Sequence, residues 1–139
     1  MERFDEALDA INKALEIDPE YAWGLSVKAN SLRNLKRYDE ALVEVNKALE
    51  IDPEDAWDLE FKADILRKLE RYDEALVEIN KAIEIKSQDA RGFTIKAVIL
   101  RSLERYDEAL DAINKALEID PEDELGLATK ELIILSSRA

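Results

Sequence analysis

Two tryptophans, Trp23 and Trp57, stand 34 positions apart, and Arg91 stands 34 positions beyond the second. Tryptophan and arginine are the side chains most enriched in binding hot spots, because they bury a large apolar area while keeping a polar handle. Each indole therefore either anchors a ligand or covers a helix junction as core. A second ladder with the same interval is Arg33, Arg67 and Arg101. It suits charge-assisted bonds to an acidic peptide, or ion pairs with carboxylates on neighbouring segments. Asp58, Glu60 and Asp64 have the types needed for an acid–base pair or a cation site. They alternate with lysine and arginine on helical sequence with no glycine loop to wrap an ion, so a solvated helix face is expected. Gly24, Gly92 and Gly126 are too scattered for a phosphate loop; each falls early in a helix, where a missing side chain admits the preceding turn.

Composition narrows the chemistry further. The chain has no cysteine and no histidine, which leaves no disulfide framework, thiol nucleophile, imidazole base or the usual zinc ligands. No catalytic residue, metal or cofactor is expected. A net charge of -13 opposes nucleic acid, whose binding depends on lysine and arginine displacing counterions. The same charge opposes an anionic membrane surface. The longest purely apolar run, Leu132 to Leu135, is far short of the roughly 20 residues of a spanning helix. No signal-peptide pattern opens the sequence, and a cytoplasmic protein is expected.

What positions these residues is a repeat. Tyr-Asp-Glu-Ala-Leu, with Phe for Tyr at its first appearance, recurs with its aspartate at Asp5, Asp39, Asp73 and Asp107, always 34 residues apart. A unit of this length cannot close a core alone and must stack on its neighbours. Apolar residues between the blocks fall at helical spacing, as in Leu25, Ala29, Leu32 and Leu35, then Leu42, Val45, Ala48 and Leu49, so two amphipathic helices per unit are expected. The break between them falls around Lys36, Arg37 and Tyr38, and Asp39 and Glu40 favour the positive end of the next helix dipole. Pro19, Pro53 and Pro121 mark the turns into following units. Ser87 holds the third such site in chain order, where the same turn is expected, less rigidly fixed.

The chain resembles the tetratricopeptide repeat family along its whole length. The residues that carry the likeness are small residues at Ala29, Ala63 and Ala97, at Ala41, Ala75 and Ala109, and at Ala48, Ala82 and Ala116. The aromatic Tyr38, Tyr72 and Tyr106 and the closing Pro53 and Pro121 add to it. Departures are Leu25, Leu59 and Phe93 at a usual large aromatic, and Lys28, Lys62 and Lys96 at a common leucine. Periodic alanines let helices approach to roughly 8–10 Å. The expected fold is all-α: an α-solenoid of antiparallel helix pairs with eight helices. Residues 22–55, 56–89 and 90–123 form complete units; 1–21 supplies a lone second helix and 124–139 a lone final helix.

The resemblance implies a non-catalytic protein–protein interaction module. In the family's superhelix the first helices line a concave groove, and here they vary (SVKANSLRNL, EFKADILRKL, TIKAVILRSL) while the second helices barely differ. It implies peptide-binding residues Trp23, Asn30, Trp57, Phe61, Asp64, Arg91, Ile95 and Val98. Some members clamp a terminal carboxylate; of those positions this chain matches Asn30 and Arg91, while Ser26, Phe61 and Ile95 occupy the rest. An apolar groove floor suits a peptide with hydrophobic anchors. The alternative is a structural or engineered, consensus-like module with no evolved ligand that self-associates through its open ends, with Phe4, Ile11, Leu132, Ile133, Ile134 and Leu135 exposed. The phase of the ends also fits a segment of a longer array.

Overall fold

The computed structural model describes residues 2–138, with side chains from residue 3. Among them are eight α-helices and no strand: α1 (Glu2–Ile17), α2 (Ala22–Asn34), α3 (Tyr38–Ile51), α4 (Ala56–Lys68), α5 (Tyr72–Ile85), α6 (Ala90–Ser102), α7 (Tyr106–Ile119) and α8 (Glu124–Ser137). Each helix packs on the next in the chain. In addition α2 touches α4, α4 touches α6, and α6 touches α8, while no such contact joins α1, α3, α5 and α7. The even-numbered helices therefore lie on the inside of a curve and the odd-numbered ones on the outside. The solenoid's inner wall is built from the helices whose sequences vary.

Hairpin geometry follows from the sequence at both kinds of turn. After α2, α4 and α6 the chain enters the left-handed region at Lys36, Glu70 and Glu104, with φ of 62°, 60° and 59°. Two bonds close each end: Lys36 N–H donates to the Arg33 carbonyl and Arg37 N–H to that of Leu32, and the next two units repeat the pair. This is the double closure of a helix terminus usually given to glycine. A side chain there costs about 1–2 kcal/mol, offset by the tyrosine two residues on, which packs into the core in all three units. Between units, the Asp18 and Asp52 carboxylates accept N–H bonds from Glu20 and Glu54. Ser87 occupies the expected turn, but Lys86 stands in the aspartate's register and offers no acceptor. Asp55, Asp89 and Asp123 cap α4, α6 and α8 with their side chains. Tyr21, in their register, makes no cap.

The periodic alanines sit where helices meet. Ala29, Ala63, Ala97, Ala41, Ala75 and Ala109 are all completely buried. Around them pack Leu32, Leu66 and Leu100, and Val45, Ile79 and Ile113, each contributing roughly 1.5–3 kcal/mol of burial. Ile65, Ile99 and Ile133 form a further buried column on α4, α6 and α8, where α2 has the buried Ser31. The small residues at helix starts also have the expected cause: a Cβ on Gly24 would lie 2.7 Å from the Tyr21 ring and 3.3 Å from Ile11, and one on Gly126 would lie 3.0 Å from Leu117.

Two end residues expected to be exposed are not. Ile133 is fully buried against α6 and α7, and Ile11 is covered by the α2 side of the first core. Both take the register of core residues in the complete units. Phe4 and Ile134 are half-buried, while Leu132 and Leu135 are exposed.

Candidate functional site

On the inner wall, α2 and α4 bracket a cleft of about 440 Å³ lined by Trp23, Ser26, Val27, Asn30, Asp55, Trp57, Asp58 and Phe61. Trp23 is 65% and Trp57 52% exposed. These indoles are therefore not core: water meets a large part of two costly aromatic surfaces. Phe61 stands edge-on to Trp57, its ring centre 6.0 Å away at 69°. Four of the expected groove residues, Trp23, Asn30, Trp57 and Phe61, thus share one cleft.

Arg91 continues the wall from α6. Its guanidinium lies 4.3 Å above the Trp57 ring centre and 5.8 Å from that of Phe61, while its Nε donates to Glu60 at 2.9 Å. A cation stacked on an indole and held by a carboxylate is a self-contained unit. Arg91 is consequently committed within the chain. Asp64 is committed as well: it accepts from Arg33 at 3.0 Å and from Arg67 at 2.8 Å, and Arg33 also donates to Asn30 at 2.7 Å and lies over Phe61. Arg101 donates to Ser136. The arginine ladder thus ties its own neighbourhood together, Arg33 and Arg101 reaching across to the next unit. Ile95 packs against the second core cluster and Val98 is half-buried outside the cleft.

Asp58 and Glu60 overturn the expectation of a solvated acidic face, since each is only 2% exposed. Asp58 takes the register of Gly24, Gly92 and Gly126, and accepts a 2.6 Å bond from the Ser26 hydroxyl of the preceding unit. Burial pushes its carboxyl up to about 6, with Asp55 and Asp52 adding to the rise and the Ser26 bond opposing it. Glu60 takes the register of Ser26, Thr94 and Ala128. Burial raises it to about 7, the adjoining Asp89 carboxyl adds to the rise, and Arg91 opposes it. Asp89 is itself buried in part, but the Glu60 and Arg91 N–H bonds outweigh that and hold it low. Of the two carboxyls, Glu60 is therefore the one pushed toward its protonated form. The sequence signal for both residues was present: each is an acid in a column of small residues.

A pH dependence follows. Both folded values lie above the usual carboxylate range of about 4, so folding takes up protons, and this contribution is fullest below that range and is lost as pH rises through about 6 and 7. Glu60→Gln should raise the thermal midpoint at pH 8 and change it little at pH 4. A variant less stable than the parent at pH 8 would show that the Arg91 bond outweighs burial.

The described residues contain no cluster of acids able to hold a metal ion and no helix long and apolar enough to cross a membrane. What the geometry defines is a helical-repeat solenoid with an aromatic cleft on its inner wall. The chain belongs to the tetratricopeptide repeat family. The family model described as anaphase-promoting complex, cyclosome, subunit 3 matches residues 34–116, and that described as tetratricopeptide repeat matches residues 1–60. Among solved structures, MamA 41-end from Desulfovibrio magneticus RS-1 superposes with a TM-score of 0.88 at 21% identity, covering 97% of this chain and 76% of that one. A crystal structure of MamA protein gives 0.85 at 18% identity, covering 98% and 74%. The first tetratricopeptide domain of Spaghetti (RPAP3), bound to an HSP90 peptide SRMEEVD, gives 0.80 at 20% identity, covering 88% and 97%. No curated protein is similar enough to count as a relative.

Proposed function

We propose that this chain is a non-catalytic interaction module that captures a peptide segment of a partner protein in the cleft between Trp23 and Trp57. The observation that carries this reading is the pair of largely exposed indoles bracketing one 440 Å³ cleft on the inner wall. An exposed indole in a concave site loses water only when something fills the site, and that burial is the main source of hot-spot energy. The cytoplasm is its expected setting.

The charge of the cleft selects the ligand. Asp55 and Asp58 line it and no lysine or arginine does, and Arg91 beside it is held by Glu60. Arg91 over Trp57 is an internal example of what the cleft favours: a cation on an indole with a carboxylate behind it. The preferred segment therefore carries an aromatic or aliphatic anchor next to lysine or arginine. The neighbour bound to SRMEEVD holds an acidic peptide; the acids lining this cleft argue against that mode here. An array of immobilised peptides of varied charge should yield basic-apolar binders with affinities near micromolar, about -8 kcal/mol. Selection of acidic peptides alone would refute the reading.

A second reading, self-association, is favoured by one observation: Leu125, Leu127, Leu132 and Leu135 are about half or more exposed on the last helix. Half-buried Ile134 and Phe4 border the two ends. Head-to-tail contact would extend the solenoid, and a two-fold contact through Leu132, Ile134 and Leu135 would pair it. Light scattering that stays at the monomer mass at high concentration would exclude both.

A further inference from the structure

The first two complete units share an ion-pair arrangement that the third breaks. In the first, Glu44 lies between Lys28 and Lys47, with Nζ to carboxylate distances of 3.5 and 3.4 Å. In the second, Glu78 lies between Lys62 and Lys81 at 3.7 and 3.4 Å. The third keeps both lysines, Lys96 and Lys115, but the glutamate's register holds Ala112. The space between α6 and α7 is instead a hollow of about 190 Å³ lined by Phe93, Lys96, Leu100, Glu108, Asp111, Ala112 and Lys115.

The acids at the rim do not take the missing glutamate's place. Glu108 is held by both Nε and a terminal nitrogen of Arg105, at 3.0 and 2.6 Å. Asp111 takes the register of the exposed Val43 and Val77 and is itself exposed. Among the described residues neither Lys96 nor Lys115 has a carboxylate within ion-pair distance. Lys115 is instead placed over the Phe93 ring, 5.8 Å from its centre. Phe93 is the aromatic that replaces the buried Leu25 and Leu59 of the other units. A cation resting on an aromatic face beside an empty hollow is a preset half of a carboxylate site.

We propose that Lys96, Lys115 and Phe93 form a seat for an external carboxylate, that of a glutamate side chain on a partner protein. The occupant is argued from the chain's own precedent: the same two lysine positions enclose a glutamate twice, and in the third unit Ala112 stands where that glutamate would be. Its size admits a carboxylate with its methylenes, which would lie along Phe93 and Leu100. The seat is formed by α6 and α7, uses no residue of the tryptophan cleft, and stands whether or not that cleft binds a peptide.

The test is a nuclear magnetic resonance titration of the whole chain with glutarate at constant ionic strength. Saturable shifts are expected at Ala112 and at the Lys96 and Lys115 side chains, and none at Lys28, Lys47, Lys62 or Lys81. Lys96→Gln should weaken the response about tenfold, the effect of one lost charge-assisted bond. Ala112→Glu should abolish it without lowering the thermal midpoint, because the new glutamate fills the seat from within. No saturable shift, equal shifts at all six lysines, or an equal response to inorganic phosphate would each overturn the proposal. So would an Ala112→Glu variant that folds as stably and still responds.

Discussion

Ile99→Ala is expected to lower the unfolding free energy by about 2–5 kcal/mol, the usual range for a cavity left in a rigid core. Ile99 has no exposed surface and packs with Leu59, Leu66 and Ile79, so it joins α6 to the unit before it. In a solenoid, stability is the sum of units and of the contacts between them. The variant removes mostly a contact between units. Chemical denaturation should therefore show a lower midpoint and also a broader transition, as the two halves of the stack unfold less in concert. A loss below about 1 kcal/mol, smaller than that range, would mean that the isoleucine column does not hold the units together.

The second large effect concerns the cleft. Trp57→Ala together with Phe61→Ala should weaken a peptide selected on the parent by at least about 100-fold, since removing hot-spot aromatics commonly costs about 2 kcal/mol or more each. Trp57 also carries Arg91, which would lose its stacking surface but keep Glu60. Because Trp57 is half exposed, the helical circular dichroism should survive the double change. Full affinity in a folded double variant would place the ligand elsewhere.

Much of the architecture was legible because a repeat states each instruction several times. The aspartate interval set the period, and the alanines foretold the crossing points, all of which are fully or almost fully buried. Reading along the chain failed where reading across units would have succeeded. Leu132 to Leu135 looked like an exposed apolar run, yet Ile133 stands in register with Ile65 and Ile99 and is core like them. Asp58 and Glu60 looked like part of a charged helix face because lysine and aspartate surround them. Their columns are otherwise glycine, serine, threonine and alanine, which marks positions without room for a solvated carboxylate. The commitment of Arg91 and Asp64 was beyond the sequence, since it depends on which carboxylate lies within 3 Å across a unit boundary.

The central claim is that the two indoles form one binding site, and the chain has only these two tryptophans. Their indole N–H resonances are therefore two resolved reporters of the cleft. Titration with a lysine-rich peptide bearing an aromatic anchor should move both resonances along one saturable curve with a common dissociation constant. It should also weaken below about pH 6, as Asp58 takes up its proton. Saturable binding of that peptide with both indole resonances unmoved would contradict the account.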